Sequence, residues 1–587
     1  MFWLILLVAA GLTAVCSFLS VNRYLSFKLH KNTLPFTLAT LLINMWILLA
    51  ITYLLPLDVF YAARASQDKS SAGLNGTALA QSTPRPLARG LTSVRELTEG
   101  VAEDNGGNLP DFSALWYGIY WLEFFICWFV LPVLISYLDL KYLFPPQLYV
   151  SQRKTVFQRI KKAVMVNIKF YALCALGLLG GILYLVFGTN RGLVDLKPLI
   201  ISFSHLYSLS YTLILLSMGL ILLPKALLTN RTDENKLFID LSKSNDESND
   251  AKMAMTDYAS KILSVREVIN GDVALAQAIN ECKLEVQSLV NETQISLPHL
   301  SSGDQHISLE KINKYYNGFK KEYYNYLYYQ AKSDRVIHDL AQSQVKTISA
   351  TKSAVRLAFG AGCLLLSILV VFLEFTPSKF AHSKLFQGTS WLNFLLEISI
   401  LVYNTFASLY AMSCFKWQNL HLIPNGHSSP KNALYYSLYS SRLLLPLCFN
   451  FMALISHDAG APECSFEKVL YKDLKLIPLV DILNRYLPVF FIIAVPVGYF
   501  LDLKNRVLVR VLGKEYCYEL FGIFTDPAPQ SDASAESSRE VSQAIDRSRL
   551  DEDYEYSLQD GRYLFQRATS NYNLREDSVD NDRRAYV

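Results

Sequence analysis

The chain has 587 residues, a net charge of +4, only 18 % charged residues and a mean hydropathy of +0.21. That is too apolar for a soluble protein of this length and points to a multi-span membrane protein. The near-neutral charge balance gives no basic face for a nucleic-acid partner, and nine cysteines without a CxxC pair signal neither a zinc site nor a disulfide scaffold.

A spanning helix needs roughly 20 mostly apolar residues. Nine segments qualify: 2–22, 36–55, 114–137, 164–187, 199–223, 354–373, 390–412, 433–455 and 482–501. The expected fold class is therefore all-α: a polytopic membrane protein with nine transmembrane helices. The opening MFWLILLVAAG has no basic residue ahead of it, while Arg23, Lys28 and Lys31 follow it. That order suits an uncleaved anchor with its N-terminus outside. Basic residues recur at 141–162 and 504–514, so those segments are expected in the cytoplasm as well. The loop 56–113 then falls outside. It holds the sequon Asn75-Gly76-Thr77, which makes Asn75 the glycosylation candidate.

Four divisions follow: 1–223 with the first five spans, 224–353 in the cytoplasm, 354–501 with the last four spans, and a tail, 502–587. The stretch DLSKSNDESND (240–250) is polar and reads as flexible. Beyond it, Tyr258, Ile262, Val265 and Ile269 step at helical spacing, with Ile279, Val286 and Val290 extending the seam. Ile312, Tyr316, Phe319 and Tyr323 begin a second run, continued by Ile337, Leu340 and Val345. These predict an antiparallel, coiled-coil-like helical hairpin, either packed on itself or open to a partner. The tail is polar and reads as largely disordered, except for LQDGRYLFQRA, which predicts a short amphipathic helix. Tyr518-Glu-Leu-Phe521 fits a tyrosine-based sorting pattern shared by many tyrosines.

Ionisable groups inside spans are costly, so each marks a candidate site. Glu123, Glu397 and Arg442 lie within the third, seventh and eighth segments. In YSSRLLLPLCFNFMALI (439–455), Arg442, Pro446 and Asn450 recur every fourth residue and share one helix face. At about 1.5 Å rise per residue, both acids sit near enough in depth to pair with Arg442. A structural ion pair and a polar site lining a cavity, with Pro446 breaking the helix, both fit this pattern. Gly177 and Gly181 form a GxxxG that permits close helix approach. No HExxH, GxSxG, P-loop or kinase signature occurs, so no catalytic, cofactor or metal residue is nominated and no enzyme is expected.

SRLLLPLCFNFMALI (441–455), LLPLDV (54–59), LPVLISYLDLKY, KKAVMVNIKFYA, VFLEF around Glu374, LNRYLP and RVLVRVLGKEY together resemble the limb-region (LMBR-type) membrane proteins. QDGRYLFQR places the resemblance within that family's LMBR-domain-containing-protein-two branch. The matched motif positions are Pro56, Asp58, Arg442, Pro446 and Asn450, while Glu123 stands where the family pattern has an uncharged residue. The resemblance implies a nine-span protein with its N-terminus outside and no assigned catalytic centre. Relatives act as a regulator of G-protein-coupled receptors, a lysosomal cobalamin-export factor and lipocalin-binding receptors. The leading expectation is a plasma-membrane regulator of an adrenergic-type receptor pathway, meeting receptor or trafficking proteins through the hairpin. A small-molecule transporter, a lipocalin-type receptor and an endolysosomal location are the alternatives.

Overall fold

The structure is a computed structural model that describes residues 2–27, 35–80, 112–143, 152–188, 196–228, 234–265, 273–293, 295, 308–344, 350–375, 391–414, 421–423, 426–454, 463–472, 478–501 and 554–570. Among these residues it is all helical, apart from one antiparallel bridge between Leu25 and His427. Seven helices are long and apolar enough to cross a bilayer: Leu4–Tyr24, Pro35–Arg64, Ser113–Asp139, Ile200–Leu228, Ala354–Phe375, Trp391–Cys414 and Ile482–Phe500. An eighth arises if Val156–Val166 and Ile168–Leu183, bent by 46°, count as one span. The eighth segment expected from the sequence, 433–455, does not meet that measure.

That segment is α13, Pro430–Leu454. The helices around it are α2 (Pro35–Ala80), α3 (Ser113–Phe125), α4 (Leu131–Asp139), α7 (Leu196–Leu228) and α12 (Trp391–Cys414). Enclosed by these helices, α13 needs no apolar outer surface of its own. Its serines, asparagine and arginine face other helices. By contrast α1 (Phe2–Tyr24) leans mainly on α2 and exposes Leu4, Leu7, Leu12, Val15 and Leu19. Trp46 Nε1 donates to the Ala10 carbonyl at 3.3 Å and Ser17 Oγ to that of Leu42 at 3.0 Å across this pair.

Three prolines and an asparagine shape the helices locally. Pro132 has no N–H to give, and the preceding residues Ile126–Val130 shift into a single π turn. The bend between α5 (Gln152–Val166) and α6 (Ile168–Gly188) falls at Asn167, whose amide donates to the Ser136 hydroxyl at 2.9 Å and the Ala163 carbonyl at 2.8 Å. Gly177 and Gly181 lie on the side of α6 that carries Leu178 and Ile182, both packed on the main core. Pro56 does not end α2, which runs on to Ala80; the expected loop beginning at 56 is helical for its first 25 positions, and Asn75 lies on that continuation. Ala-rich sequence beyond Tyr61 favours helix there. Nor does Pro446 break α13, contrary to the sequence reading. Its ring leaves the Arg442 carbonyl without the usual intrahelical donor, and the Thr212 hydroxyl of α7 lies 3.4 Å from that oxygen.

The polar helices form a separate bundle. α8 (Glu234–Leu263) packs along α10 (Leu309–Gln344), and α9 (Val273–Glu292) covers one end of the pair. The seam residues Ile262, Val265, Ile279, Val286, Val290, Ile312, Tyr316, Phe319 and Tyr323 are all buried there. Ile269 and Val345 lie outside the described residues. The polar run 240–250 is helix, not flexible chain. Its serines are small enough to bring neighbours close: Ser244 Oγ donates to the Tyr329 carbonyl at 3.0 Å and accepts from Ser333 Oγ at 3.1 Å. A last helix, α15 (554–570), lies on this bundle and carries the predicted LQDGRYLFQRA. Before it comes α14 (Pro478–Phe500). The helix between α10 and α12 is α11 (Ala350–Phe375).

Candidate functional site

The five polar residues read as one intramembrane cluster separate into three places. Glu123, Glu397 and Asn450 are each 3 % exposed. Glu123 on α3 faces Ser441 of α13, with neither carboxylate oxygen hydrogen-bonded. Cys127, one turn on, lies within electrostatic reach of both Glu123 and Arg442. The Arg442 guanidinium sits 5.1 Å from the centroid of the Tyr439 ring, with Tyr211 of α7 also near it. Such a stacked arginine is held by the ring face as well as by charge. No ion pair joins Arg442 to Glu123 or to Glu397. Asn450 turns elsewhere and donates to Glu374 Oε1 at 2.8 Å. Glu397 stands on α12 with Oε2 unpartnered, two turns before Asn404, whose Oδ1 is also unpartnered. Matching depths alone suggested the ion pair; rotation about each helix axis decides it, and that is set by packing.

The motif carboxylate Asp58 has a fuller set of partners. Trp116 Nε1 donates to Oδ2 at 2.9 Å, the Phe466 N–H to Oδ2 at 2.8 Å and the Ser465 N–H to Oδ1 at 3.1 Å. Ser465 and Phe466 open the short helical stretch containing the π turn Glu467–Tyr471. Asp58 therefore caps another segment's helix start, where free N–H groups and the helix dipole both favour a carboxylate. Pro56, one half-turn earlier on α2, is buried in the same helix. Aromatic contacts continue the network: Phe466 meets Trp116 at 4.9 Å and Phe449 at 5.4 Å, and Phe449 meets His205 at 4.7 Å. His205 and Asn484 of α14 are 3.1 Å apart through Nε2 and Oδ1. One connected set thus ties α2, α3, α7, α13 and α14.

A second hub, of which the sequence reading singles out Tyr316 but not Asp139 or Glu285, joins the bundle to the apolar helices. The Asp139 carbonyl accepts from Asn313 Nδ2 at 2.7 Å and Asn317 Nδ2 at 2.8 Å, while its carboxylate takes Lys431 Nζ at 2.6 Å. Glu285 of α9 accepts from Tyr142 at 2.5 Å, from Tyr316 at 2.7 Å and from Lys141 at 2.5 Å, and Lys320 stands 3.4 Å away. Burial alone would push the Glu285 carboxyl up; Lys320 and Lys141, with the lysine and tyrosine hydrogen bonds, outweigh it and hold the group at about 2. The stretch Asp139 to Tyr142 was legible only as part of LPVLISYLDLKY. His421 adds a third tie, stacked at 3.9 Å on Tyr328 of α10.

Residues 3–501 match the family of LMBR1-like membrane proteins. The chain belongs to that family. The match takes in every helix through α14 and stops short of α15. A relative from Caenorhabditis briggsae, named as the G-protein coupled receptor-associated protein LMBRD2, is 23 % identical over 548 residues, covering 82 % of this chain and 79 % of its own. No solved structure gives a significant match. Arg442, Pro446, Asn450, Pro56 and Asp58 all lie within the matched region; of these, Asp58 caps the stretch at Ser465 and Phe466, Asn450 donates to Glu374 and Arg442 lies against Tyr439. Among the described residues, no group of three or more His, Cys, Asp or Glu side chains could hold a metal ion.

Proposed function

We propose that this LMBR1-like protein is a nine-span regulator, N-terminus outside, that modulates signalling by a G-protein-coupled, adrenergic-type receptor at the plasma membrane. The observation that carries the reading is the helical bundle α8–α10, fixed to the membrane helices by Asp139, Glu285 and His421. A rigidly mounted bundle presents its surface at a constant height and angle to a neighbour in the same bilayer. The name of the nematode relative, a G-protein coupled receptor-associated protein, supports a G-protein-coupled receptor as the partner. Nine spans would put the ends of α1 and α4 and the start of α13 on one face of the bilayer; Tyr24 O accepts from the Ser428 N–H at 3.1 Å, and Asp139 meets Lys431, in keeping with that arrangement. On that topology the bundle and tail are cytoplasmic and Asn75 is outside, open to glycosylation.

Proximity labelling from an enzyme fused within the bundle tests the reading. Receptor and trafficking proteins should be enriched over a control fused to an unrelated multi-span protein. Equal labelling by the two would refute it.

A second reading, a small-molecule transporter or its subunit, is favoured by the unpartnered Glu123 carboxylate. Against it, the crevice of about 410 Å³ between α7, α11 and α14 is walled by Leu220, Ile221, Ile368, Val371 and Phe372, and Glu123, Glu397 and Arg442 do not line it. Uptake or efflux unchanged by Glu123→Gln would remove this reading.

A further inference from the structure

The tail helix α15 sits in a groove formed by the start of α8 and the end of α10. Leu237, Phe238 and Leu241 make one wall, Val336 and Leu340 the other, and Phe565 fills the space between them. Phe238 and Phe565 meet edge to face at 6.0 Å. Ser242 Oγ donates to Asp560 Oδ2 at 2.7 Å. Gly561 is pressed against α8 so closely that a Cβ there would lie 2.0 Å from the Phe238 carbonyl oxygen. Only glycine fits that contact. The three features recognise a helix by an acid, an adjacent glycine and an aromatic four residues later, one face of a single turn.

We propose that this groove is a binding site for an amphipathic helix of the form Asp-Gly-x-x-x-Phe, and that α15 is its resident ligand in cis. A partner protein presenting such a helix gains the groove only by displacing the tail. Two observations support a removable occupant rather than a fixed part of the bundle. α14 ends at Phe500 and α15 begins at residue 554, so 53 residues of chain lie between the two helices. Like charges also face each other across the contact: burial raises the Asp246 carboxyl of α8, and Asp560 of α15 raises it further. Helix-in-groove recognition is a recurring mode of regulated protein contact. A ligand carried on the same chain competes with any outside helix at its effective local concentration, so the outside helix binds more weakly while α15 is seated. The inference deepens the regulatory reading, since it names where a partner docks, but it needs no receptor to be tested.

The test uses full-length protein in nanodiscs and a fluorescent peptide spanning 552–572. Wild type should bind it at least ten-fold more weakly than Gly561→Leu or Phe565→Ala, whose own tails cannot seat. The peptide carrying Gly561→Leu should not bind the variants. Hydrogen exchange should show α15 protected in wild type and open in both variants, with α9 and the middle of α10 unchanged. Equal peptide binding by wild type and variants would overturn the proposal, as would variants with an open α15 and no peptide binding. Exchange of labelled tails between copies, seen as dimers of wild type, would overturn the cis assignment.

Discussion

Asp58→Ala should unfold the junction between α2, α3 and the 463–472 segment. The carboxylate receives three donors, the Trp116 indole and the backbone N–H groups of Ser465 and Phe466. Removing it leaves buried donors without acceptors, at about 1–3 kcal/mol each. Trp116 and Phe466 are 1 % and 0 % exposed, so water cannot readily replace the acceptor for those two. The expected loss for those two is about 2–6 kcal/mol, enough to reduce recovery of folded protein sharply if total stability lies near the low end of the usual range of about 5–15 kcal/mol. Asp58→Asn keeps the shape and one acceptor oxygen but turns an NH2 toward an N–H, so its loss should be smaller, about 1–3 kcal/mol. Thermal unfolding followed by size-exclusion fluorescence in one detergent orders the variants. A double-mutant cycle sharpens it: Trp116→Phe should destabilise the wild type, yet add little to Asp58→Ala, because its partner is already gone. Wild-type melting of Asp58→Ala, or full additivity of the pair, would refute the capping role.

Three further outcomes follow from other contacts. Gly219→Leu should strongly reduce the yield of monodisperse protein, because a Cβ at 219 would lie 2.2 Å from the Ala407 carbonyl oxygen and force α7 from α12; even Gly219→Ala should cost about 1–3 kcal/mol by overpacking. Thr212→Val removes a hydroxyl that donates to the Ser208 carbonyl at 2.9 Å and lies 3.4 Å from the Arg442 carbonyl, so it should cost about 1 kcal/mol, and the cost should shrink in a Pro446→Ala background, where an alanine N–H serves the Arg442 carbonyl; unfolding of the four proteins reads this directly. Glu285, held at about 2 against an ordinary 4.5, stabilises the bundle by about 3 kcal/mol above pH 5. Because its folded value is depressed, the unfolded chain binds the extra proton between about pH 4.5 and 2, and the stability is lost as pH falls through that window. Hydrogen exchange of α9 should therefore show Glu285→Gln less protected than wild type at pH 7, with the gap closing toward pH 3; a constant gap would contradict the assignment.

Where the chain is periodic, sequence and structure agree. Long apolar runs announced the membrane helices, and steps of three and four announced the bundle seam from Ile262 to Tyr323, because burial on one helix face leaves a local imprint. The contacts that fasten these helices leave no such imprint. Asp58 and Phe466 are 408 positions apart, and Asp139 and Lys431 are 292 apart. Run 240–250 read as flexible because serine and aspartate favour non-helical backbone locally; in the fold, Ser242 and Ser244 spend their hydroxyls on α15 and α10. Arg442 was paired with acids by depth, yet packing turned its side chain toward Tyr439 and Tyr211. Pro446 read as a break because the Thr212 hydroxyl comes from α7 and is invisible on α13.

The enclosure of α13 has a consequence for how the chain is made. On the proposed nine-span topology, Lys431, Arg442 and a run of serines make α13 too polar to leave the translocation channel for lipid on its own, where a central arginine costs about 2.5–3.5 kcal/mol or more. Its neighbours α2, α4, α7 and α12 are all synthesised first. They must be held together, with Asn44 and Thr212 awaiting Ser437 and the Arg442 carbonyl, until residue 454 emerges. A nascent chain stalled before residue 430 would show those polar groups to the bilayer and be a ready target for membrane quality control.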